Sequence, residues 1–338
     1  MTFRAGIVGC GRIGSEFDDD PKRKYVASHC GAYKLVGEAE LVAICDINPE
    51  KLEKCGKRWG ISSRYQNYEE MLAREQIDIL SICTPPSSHF EILKEAVSEG
   101  VKAVFCEKPI SSSLQEADEM IRLCQKEGVI LQIDHQRRFD RFIQEVREFI
   151  REGKLGDIQQ ITFYYTAGIA NTGSHLFDLL RFFFGEVEWV RGVYSRNLSP
   201  NPDDLNIDGF LKFRDGPFCS VQACDVRAYL VFEMNTLGTL GRLNLTRSGF
   251  DVEFYEVKES ELFSGYNELF RAPSPIAKDT PKDFMVNGVR HLVECLREKR
   301  KSISSGEDGK AALEIIYAFT ESANRDGEIV ELPLKSYS

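Results

Sequence analysis

The sequence is poor in several features that would assign it to a specialised class of protein. It contains two tryptophans, five methionines and five histidines among 338 residues, and its ten cysteines form no C-x-x-C pair. That spacing is typical of zinc ribbons and thiol redox sites. We therefore expect buried, reduced thiols and no metal site. The sequence also lacks internal repeats and low-complexity segments, which excludes solenoid and fibrous architectures.

Long apolar runs and an excess of positive charge are also missing. No run approaches the roughly 18 apolar residues of a membrane-spanning helix, and the opening stretch 1–9 is too short and too soon broken by glycine for a signal peptide. We therefore expect a cytoplasmic protein that does not bind membranes. Asp and Glu (53) outnumber Lys and Arg (43), and the net charge is −10. This balance argues against nucleic acid and favours a small-molecule partner.

The remaining composition is that of an ordinary globular protein, and its length of 338 residues suffices for two domains. From residue 3 to 133, short apolar runs alternate with amphipathic stretches, which predicts an α/β domain with a doubly wound parallel sheet over 1–135. Longer alternating segments follow, together with helices over 281–299 and 309–324. They predict an α+β domain with a large open, mostly antiparallel sheet over 136–338.

A glycine-rich motif stands directly after the first strand-like run. The segment Gly9-Cys10-Gly11-Arg12-Ile13-Gly14 fits G-x-G-x-x-G, the fingerprint of a Rossmann dinucleotide site. In that site Gly9 allows a tight turn, Gly11 lets the backbone approach a pyrophosphate, and Gly14 packs closely at a helix whose N-terminus faces the diphosphate. Arg12 and Ile13 are predicted to contact the same cofactor. The alternative is an ordinary glycine-rich turn.

An acidic residue, Asp46, ends the second strand-like run. Its carboxylate can accept hydrogen bonds from an adenosine ribose and would repel a 2′-phosphate, so NAD is favoured over NADP. Asp46 follows Gly14 by about 30 residues, against about 20 in the usual fingerprint. The excess lies in 15–33, which predicts a loop before the helix resumes. Either an inert insertion or a flap over the cofactor would fit this loop.

The tripeptide Glu107-Lys108-Pro109 comes directly after the run 101–106. The carboxyl ends of parallel strands form the edge where open α/β sheets bind ligands. A lysine at that edge can polarise a carbonyl or an alkoxide. The alternative is a solvated lysine in a loop.

A third motif follows later in the chain, Asn171-Thr172-Gly173-Ser174-His175-Leu176-Phe177-Asp178. Together with the glycine-rich motif and Glu107-Lys108-Pro109, it resembles the Gfo/Idh/MocA oxidoreductase family. The resemblance extends over essentially the whole chain. It implies an N-terminal Rossmann domain and a C-terminal open-sheet domain through which homodimers or homotetramers form. It also implies NAD(P)-dependent chemistry at a carbon of a carbohydrate or cyclitol.

The resemblance assigns catalytic roles to Lys108 and to His175, the latter removing the hydroxyl proton. Asp178 lies at i+3 from His175, so both face one side of the helix, where Asp178 orients His175 or binds a substrate hydroxyl. Asn171 stands where many members have aspartate. It can bind substrate but cannot share a proton with His175. The competing interpretation of His175 is a capping or core histidine.

Further residues are implied at the neighbouring loops. Arg138 is the candidate to bind a substrate phosphate or hydroxyl, with an ion-pair role as the alternative. The segment that starts with Thr84 and Pro85 resembles the T-P-x-x-x-H stretch that lines the cofactor. His89, at its end, is either a cofactor contact or a helix-start residue, and Glu107 is placed with the cofactor residues.

The expected function is therefore that of an NAD-dependent dehydrogenase acting on a CH–OH group of a sugar. A nucleotide-activated sugar, UDP-N-acetylglucosamine oxidised at C3, is the leading specific candidate. The alternatives are a redox-neutral NAD-dependent glycosidase, a non-catalytic protein that senses NAD or sugar, and a purely structural partner protein.

Overall fold

A computed structural model describes residues 2–276 and 282–335 of the chain. The described residues fall into two compact units, 2–140 with 282–310 and 141–276 with 311–335. The sequence placed one division near residue 135. In the structure the first unit also contains the late segment 282–310, which local sequence patterns did not assign to it.

The first unit is built on a six-stranded sheet in the order β3-β2-β1-β4-β5-β6. All of its neighbouring strands are parallel, which confirms the predicted doubly wound sheet. The strands are β1 (Phe3–Val8), β2 (Ala39–Cys45), β3 (Ser63–Tyr65), β4 (Ile79–Ile82), β5 (Ala103–Cys106) and β6 (Ile130–Ile133).

Capping residues set the ends of the helices between these strands. The Asn48 side chain accepts the N–H groups of Glu50 and Lys51 at the start of α2, and the Ser113 side chain accepts the N–H of Glu116 at the start of α5. The helices are α1 (His29–Leu35), α2 (Pro49–Trp59), α3 (Tyr68–Arg74), α4 (His89–Ser98) and α5 (Leu114–Glu127).

The second unit contains a nine-stranded sheet in the order β14-β13-β12-β11-β7-β10-β9-β8-β15. Only the pair β7 and β10 is parallel among the described strands of this sheet, so the predicted mostly antiparallel sheet is confirmed. The strands are β7 (Ile158–Tyr165), β8 (Val187–Tyr194), β9 (Ile207–Phe213), β10 (Phe218–Ala223), β11 (Glu233–Gly238), β12 (Gly241–Thr246), β13 (Asp251–Glu259), β14 (Asn267–Ala272) and β15 (Val330–Glu331).

Four helices follow the first five along the chain. Phe177 stacks on Phe319 with ring centroids 5.1 Å apart in the core of the second unit. The predicted start of the penultimate helix at Pro281 lies outside the described residues, and the helix begins at Phe284. The helices are α6 (Arg141–Arg151), α7 (Asn171–Phe184), α8 (Phe284–Glu298) and α9 (Gly306–Asn324).

Large apolar side chains remain exposed on neighbouring strands of the nine-stranded sheet. Val193 on β8, Phe210 on β9 and Phe218 on β10 are 49%, 52% and 42% exposed. Exposed apolar patches of this kind often mark surfaces that bind other protein chains. Homo-oligomer formation through this sheet stays a prediction.

The cysteines agree with the expectation of buried, reduced thiols. All ten cysteines are free and eight are buried. The thiols of Cys30 and Cys55 lie 3.6 Å apart, within hydrogen-bond distance, and form no disulfide. Within residues 2–276 and 282–335, no helix combines the length and the apolar character needed to span a bilayer.

Candidate active site

The glycine-rich loop after β1 requires glycine at two of its three positions. Gly9 has a φ of +103°, and a Cβ there would lie 2.6 Å from the carbonyl oxygen of Cys83. A Cβ on Gly14 would lie 2.0 Å from the carbonyl oxygen of Gly9. At Gly11 the nearest atom would be the Lys51 Nζ at 3.9 Å. The loop is therefore tight beneath Gly14 and open above Gly11, where a pyrophosphate can approach the backbone.

The loop predicted over 15–33 is shorter in the structure, because α1 already begins at His29. The N–H of Ser15 donates to the Gly11 carbonyl at 2.9 Å, and the chain then leaves the helix axis. It returns at α1, where the N–H of His29 donates to the carbonyl of Ile13 at 3.0 Å. The segment 15–28 is thus an insertion in a helix that α1 resumes.

The insertion 15–28 is fixed by polar contacts within the first unit. The Asp18 carboxylate accepts the N–H of Ala27 at 2.7 Å and the hydroxyl of Ser28. The Arg58 guanidinium donates to the Asp18 carbonyl at 2.7 Å. Of the two interpretations left open by the sequence, these contacts favour a fixed insertion that positions α1.

Arg12 is exposed at the surface of this loop, and Ile13 is half-buried. The Arg12 guanidinium carbon stands 4.8 Å from the centroid of the Phe17 ring, a cation–π contact within the loop. The contacts of Arg12 and Ile13 with the cofactor stay predictions.

Asp46, directly after β2, is bound to the glycine-rich loop. Its Oδ2 accepts the N–H of Cys10 at 2.7 Å, and its Oδ1 accepts the N–H of Asn48 at 2.8 Å. A carboxylate offers about four acceptor positions, so two remain for ribose hydroxyls. The half-buried Asp46 and the open space above Gly11 together fit an adenine dinucleotide without a 2′-phosphate.

The predicted cofactor residues after β4 differ in their exposure. Thr84 is half-buried and Pro85 is exposed at the loop. The His89 ring is buried: its Nε2 lies 2.8 Å from the Thr84 carbonyl, and its Nδ1 lies 3.3 Å from the Cys106 thiol. Burial lowers the pKa of His89, and its Nδ1 also lies 3.1 Å from the Ile110 carbonyl. These contacts favour the interpretation of His89 as a helix-start residue.

Glu107 and Lys108 follow β5 at the carboxyl edge of the sheet, where the sequence placed them. Lys108 is half-buried, and its backbone N–H lies 3.3 Å from Glu107 Oε2. The Glu107 side chain is buried and points to His29, its Oε1 lying 3.1 Å from His29 Nε2. The Glu107 side chain therefore contacts the buried protein interior next to Lys108. Its direct contact with the cofactor stays a prediction.

The structure adds residues to this edge that the sequence analysis did not assign. His29 Nδ1 lies 3.0 Å from Ser81 Oγ, which lies 2.9 Å from the Tyr33 hydroxyl. Asp134 Oδ2 lies 3.7 Å from His29 Nε2. One sequence signal was available, because Ser81, Glu107 and Asp134 are polar residues at the ends of the neighbouring apolar strands β4, β5 and β6.

The same side chains are a set that a metal ion could use. Among the described residues, His29, Glu107 and Asp134 have ligand-type atoms that all lie within 4.8 Å of one another. The His29 Nε2 is already hydrogen-bonded to Glu107, so the atoms are arranged as a hydrogen-bond network. The expectation of no metal site stays a prediction.

In the second unit, α7 carries the residues assigned by the G-x-H-x-x-D motif. It begins at Asn171. His175 is half-buried and Asp178 is 1% exposed, one turn further along the helix. The exposed Asn171 has its backbone N–H bound by Asp204 Oδ2 at 2.9 Å, a partner that the sequence analysis missed.

The Arg138 side chain forms hydrogen bonds and an ion pair within the first unit. Its side chain is buried, its Nη1 donates to the carbonyl of Ile303 at 2.6 Å, and its Nη2 lies 3.1 Å from Asp308 Oδ1. The ion-pair alternative is thus the one that its contacts favour, with a partner from the late segment. Substrate binding by Arg138 stays a prediction.

Two family models match most of the chain. The model described as an oxidoreductase family with an NAD-binding Rossmann fold matches residues 3–135. Its companion, described as the C-terminal alpha/beta domain of an oxidoreductase family, matches residues 166–332. The chain belongs to the Gfo/Idh/MocA oxidoreductase family. It is an NAD-dependent oxidoreductase. The assignment of Gly9, Gly11, Gly14 and Asp46 to the cofactor stays a prediction.

Curated members of the Gfo/Idh/MocA family align over nearly the full length. D-apiose dehydrogenase of Paraburkholderia graminis is 27% identical, over 98% of this chain and 90% of the relative. Myo-inositol 2-dehydrogenase of Thermotoga maritima is 24% identical, over 95% of this chain and 96% of the relative.

A solved structure supports the fold. The WlbA dehydrogenase of Bordetella pertussis, in complex with NADH and UDP-GlcNAcA, has a TM-score of 0.78 at 24% identity. The match covers 99% of this chain and 100% of that chain.

The role of Asp46 in cofactor choice can be tested without a substrate. We expect Asp46→Ser to lower the preference for NADH over NADPH by about 10- to 100-fold, because a hydrogen bond to a charged group contributes about 1.5–3 kcal/mol. Fluorescence titration with both cofactors measures the ratio of dissociation constants. Glu50→Gln, an exposed carboxylate in the first turn of α2, is the control. An unchanged ratio in Asp46→Ser would contradict the assignment.

Proposed function

We propose that this enzyme transfers a hydride between a secondary alcohol carbon of a sugar or cyclitol and NAD. The observation that carries the proposal is the joint presence of the NAD loop, Lys108 at the carboxyl end of β5, and His175 with Asp178 on α7. Further support comes from relatives named for D-apiose and myo-inositol, which align over 98% and 95% of this chain.

Each of the three side chains has a defined role in the oxidative direction. The ring of His175 accepts the proton as the O–H bond of the substrate breaks, and the Lys108 ammonium donates a hydrogen bond to the oxygen that becomes the carbonyl. Asp178 orients His175. Bound NAD supplies the acceptor for the hydride that leaves the substrate carbon. A positioned base contributes about 10²- to 10⁴-fold in rate.

A finer proposal names UDP-N-acetylglucosamine, oxidised at C3, as the substrate. A diphosphate needs positive charge, which Arg138 and Arg181 are candidates to provide. Arg138 pairs with Asp308 at 3.1 Å, and Arg181 pairs with Glu186 at 2.6 Å. The second candidate is an uncharged sugar or cyclitol. The carboxylates of Asp308 and Glu186 neutralise these two arginines within the fold, so the arginine contacts favour this second candidate.

The deciding experiment follows NADH absorbance with purified protein, NAD and a panel of UDP-sugars, free sugars and inositols. We expect NADH formation with one class, and that class names the substrate. Ketosugars with NADH test the reductive direction. Binding of NADH, measured separately by fluorescence, shows that the protein is competent in each assay.

Two alternative functions have their own signatures in this panel. A redox-neutral glycosidase would release free sugar from a glycoside without net NADH. A sensor would bind NAD and sugar and turn over nothing in either direction. Either result, with NADH binding intact, would overturn the proposed dehydrogenase.

A further inference from the structure

The start of α7 is bound by a segment of the second unit that lies more than 30 residues away in sequence. The N–H of Ala170 donates to Asp204 Oδ1 at 2.7 Å, and the N–H of Asn171 donates to Asp204 Oδ2 at 2.9 Å. Both oxygens of one carboxylate therefore accept neighbouring N–H groups at the beginning of the helix. A hydrogen bond to a charged acceptor is stronger than one between neutral groups.

The two residues after Asp204 extend this contact. The N–H of Ile169 donates to the carbonyl of Leu205 at 3.1 Å. The N–H of Gly168 donates to Asn206 Oδ1 at 2.9 Å. Four consecutive N–H groups, 168–171, are thus accepted by three consecutive residues, which we call the acceptor segment (204–206).

No side chain at the start of α7 replaces these acceptors. The residue before the helix is Ala170, which has no polar side-chain atom, and no acidic residue occurs in 170–174. By contrast, α2, α3 and α5 are capped by the side chain of the residue directly before them. The first N–H groups of a helix have no acceptor within the helix, and its N-terminus favours negative charge. Asp204 supplies both the acceptors and the charge.

The turn before α7 is shaped to fit the acceptor segment. Ala167 and Gly168 have φ values of +67° and +94°, in the left-handed region. Alanine adopts this region only where surrounding contacts hold it there. A Cβ on Gly168 would collide with the Asp204 carboxylate, so glycine is required for the close approach.

The acceptor segment is itself fixed to the nine-stranded sheet. Asp204 and Asn206 are 8% and 2% exposed. The Asn206 Nδ2 donates to the carbonyl of Asn197 at 2.9 Å, and β9 begins at the next residue, Ile207. A buried carboxylate is stable only when it is hydrogen-bonded. The sheet therefore determines where α7 begins.

We propose that Asp204 is a positioning residue, which acts through the start of α7 to place the ring of His175 for the reaction. His175 lies one turn after Asn171, whose N–H is bound by Asp204. A displacement of about 1 Å can cost a catalytic group about 100-fold in rate. The proposal rests on the proposed function for the role of His175 in turnover, whereas the effect of Asp204 on the helix is independent of any substrate.

Hydrogen exchange tests the effect on the helix. We expect the amides of residues 170 and 171 to exchange at least about tenfold faster in Asp204→Ala, because both lose their acceptor. Mass spectrometry of peptides that cover 167–176 measures the rates. Asp203→Ala is the matched control, because Asp203 is the same residue type at the neighbouring position and is exposed. Circular dichroism shows that each variant is folded.

Chemical labelling tests the position of His175 without a substrate. Diethyl pyrocarbonate modifies neutral imidazole rings, and mass spectrometry quantifies the labelled peptide that contains His175. His175 is half-buried in the wild type. We expect its labelling to be at least about threefold faster in Asp204→Ala, because the loosened start of α7 opens the neighbouring turn. Labelling in Asp203→Ala should equal that of the wild type.

Turnover tests the consequence for the reaction. With the substrate found in the panel, we expect Asp204→Ala to lower kcat by about 10- to 100-fold, with a smaller change in KM. The dissociation constant of NADH should stay within about twofold of the wild type, since a positioning defect on α7 leaves cofactor binding intact. Asp204→Asn retains one acceptor oxygen and should give an intermediate kcat. It also replaces Asp204→Ala in every comparison if that variant does not fold.

Three results would overturn the proposal. The first is unchanged exchange of the amides of residues 170 and 171. The second is labelling of His175 equal to that in Asp203→Ala. The third is a raised KM with unchanged kcat, because Asp204 would then affect binding and not the placement of His175. If exchange and labelling change as expected but no carbohydrate reacts even with the wild type, the proposed function has failed and this inference has not.

Discussion

Replacing His175 by alanine should lower kcat by about 100- to 10,000-fold while NADH affinity changes by less than about twofold. The variant loses the group that accepts the hydroxyl proton, and water must take its place. The residues assigned to the NAD site, such as Gly9, Gly11, Gly14 and Asp46, belong to the first unit, whereas His175 belongs to the second. Binding of the cofactor and removal of the proton are therefore separable.

The measurement uses the substrate found in the panel and compares steady-state turnover with fluorescence titration of NADH. Thr172→Ala, on the same helix and also half-buried, is the matched control, because it tests whether any truncation on α7 lowers turnover. Loss of the acidic limb of the kcat–pH profile in His175→Ala would identify the missing group as the base. Turnover equal to that of Thr172→Ala would remove His175 from the mechanism.

Local sequence signals predicted several elements to the residue. Apolar runs and helical spacing in the sequence predict a strand over Phe3–Val8 and helices over Pro49–Trp59 and Leu114–Glu127. The structure has β1, α2 and α5 at these bounds. β1 is an apolar run ended by glycine, and the two helices have an N-cap residue and end at Gly60 and Gly128, both left-handed. Where periodicity and capping residues agree, the sequence is sufficient.

The short elements β3 and α3 were not predicted from the sequence. β3 has three residues and α3 has seven, so neither is long enough for a clear period. Both are stabilised by neighbours: β3 pairs with β2, and Asn67 caps α3. Pairing with β2 therefore determines β3, whereas the local signal for α3 is limited to its Asn67 cap.

The candidate site was predictable only as far as its motifs extend. Lys108 and the glycine loop stand at strand ends, which the sequence locates well. His29 could not be assigned because it follows a long insertion, and its role depends on α1 resuming the helix at Ile13. The ion pair of Arg138 could not be assigned for a different reason, since its partner Asp308 is distant in sequence. Contacts between distant segments are the information that one sequence does not display.

The second large effect concerns stability of the glycine loop. Gly14→Ala should lower the stability of the first unit by about 3 kcal/mol and its melting temperature by about 6–12 °C. A Cβ at this position would lie 2.0 Å from the carbonyl oxygen of Gly9, and a backbone atom cannot rotate away as a side chain can. The turn must open, and NADH binding should weaken with it. Thermal melting followed by circular dichroism measures the loss without cofactor.

Gly11→Ala is the matched control, because the same methyl group meets only the Lys51 Nζ at 3.9 Å. The protein without cofactor should melt within about 2 °C of the wild type. NADH affinity should nevertheless fall by at least about tenfold, since the methyl group would stand where the pyrophosphate approaches the backbone. The two glycines thus separate folding of the loop from binding by the loop. Equal melting temperatures for both variants would show that the contact beneath Gly14 does not constrain the turn, and unchanged NADH affinity in Gly11→Ala would move the pyrophosphate elsewhere.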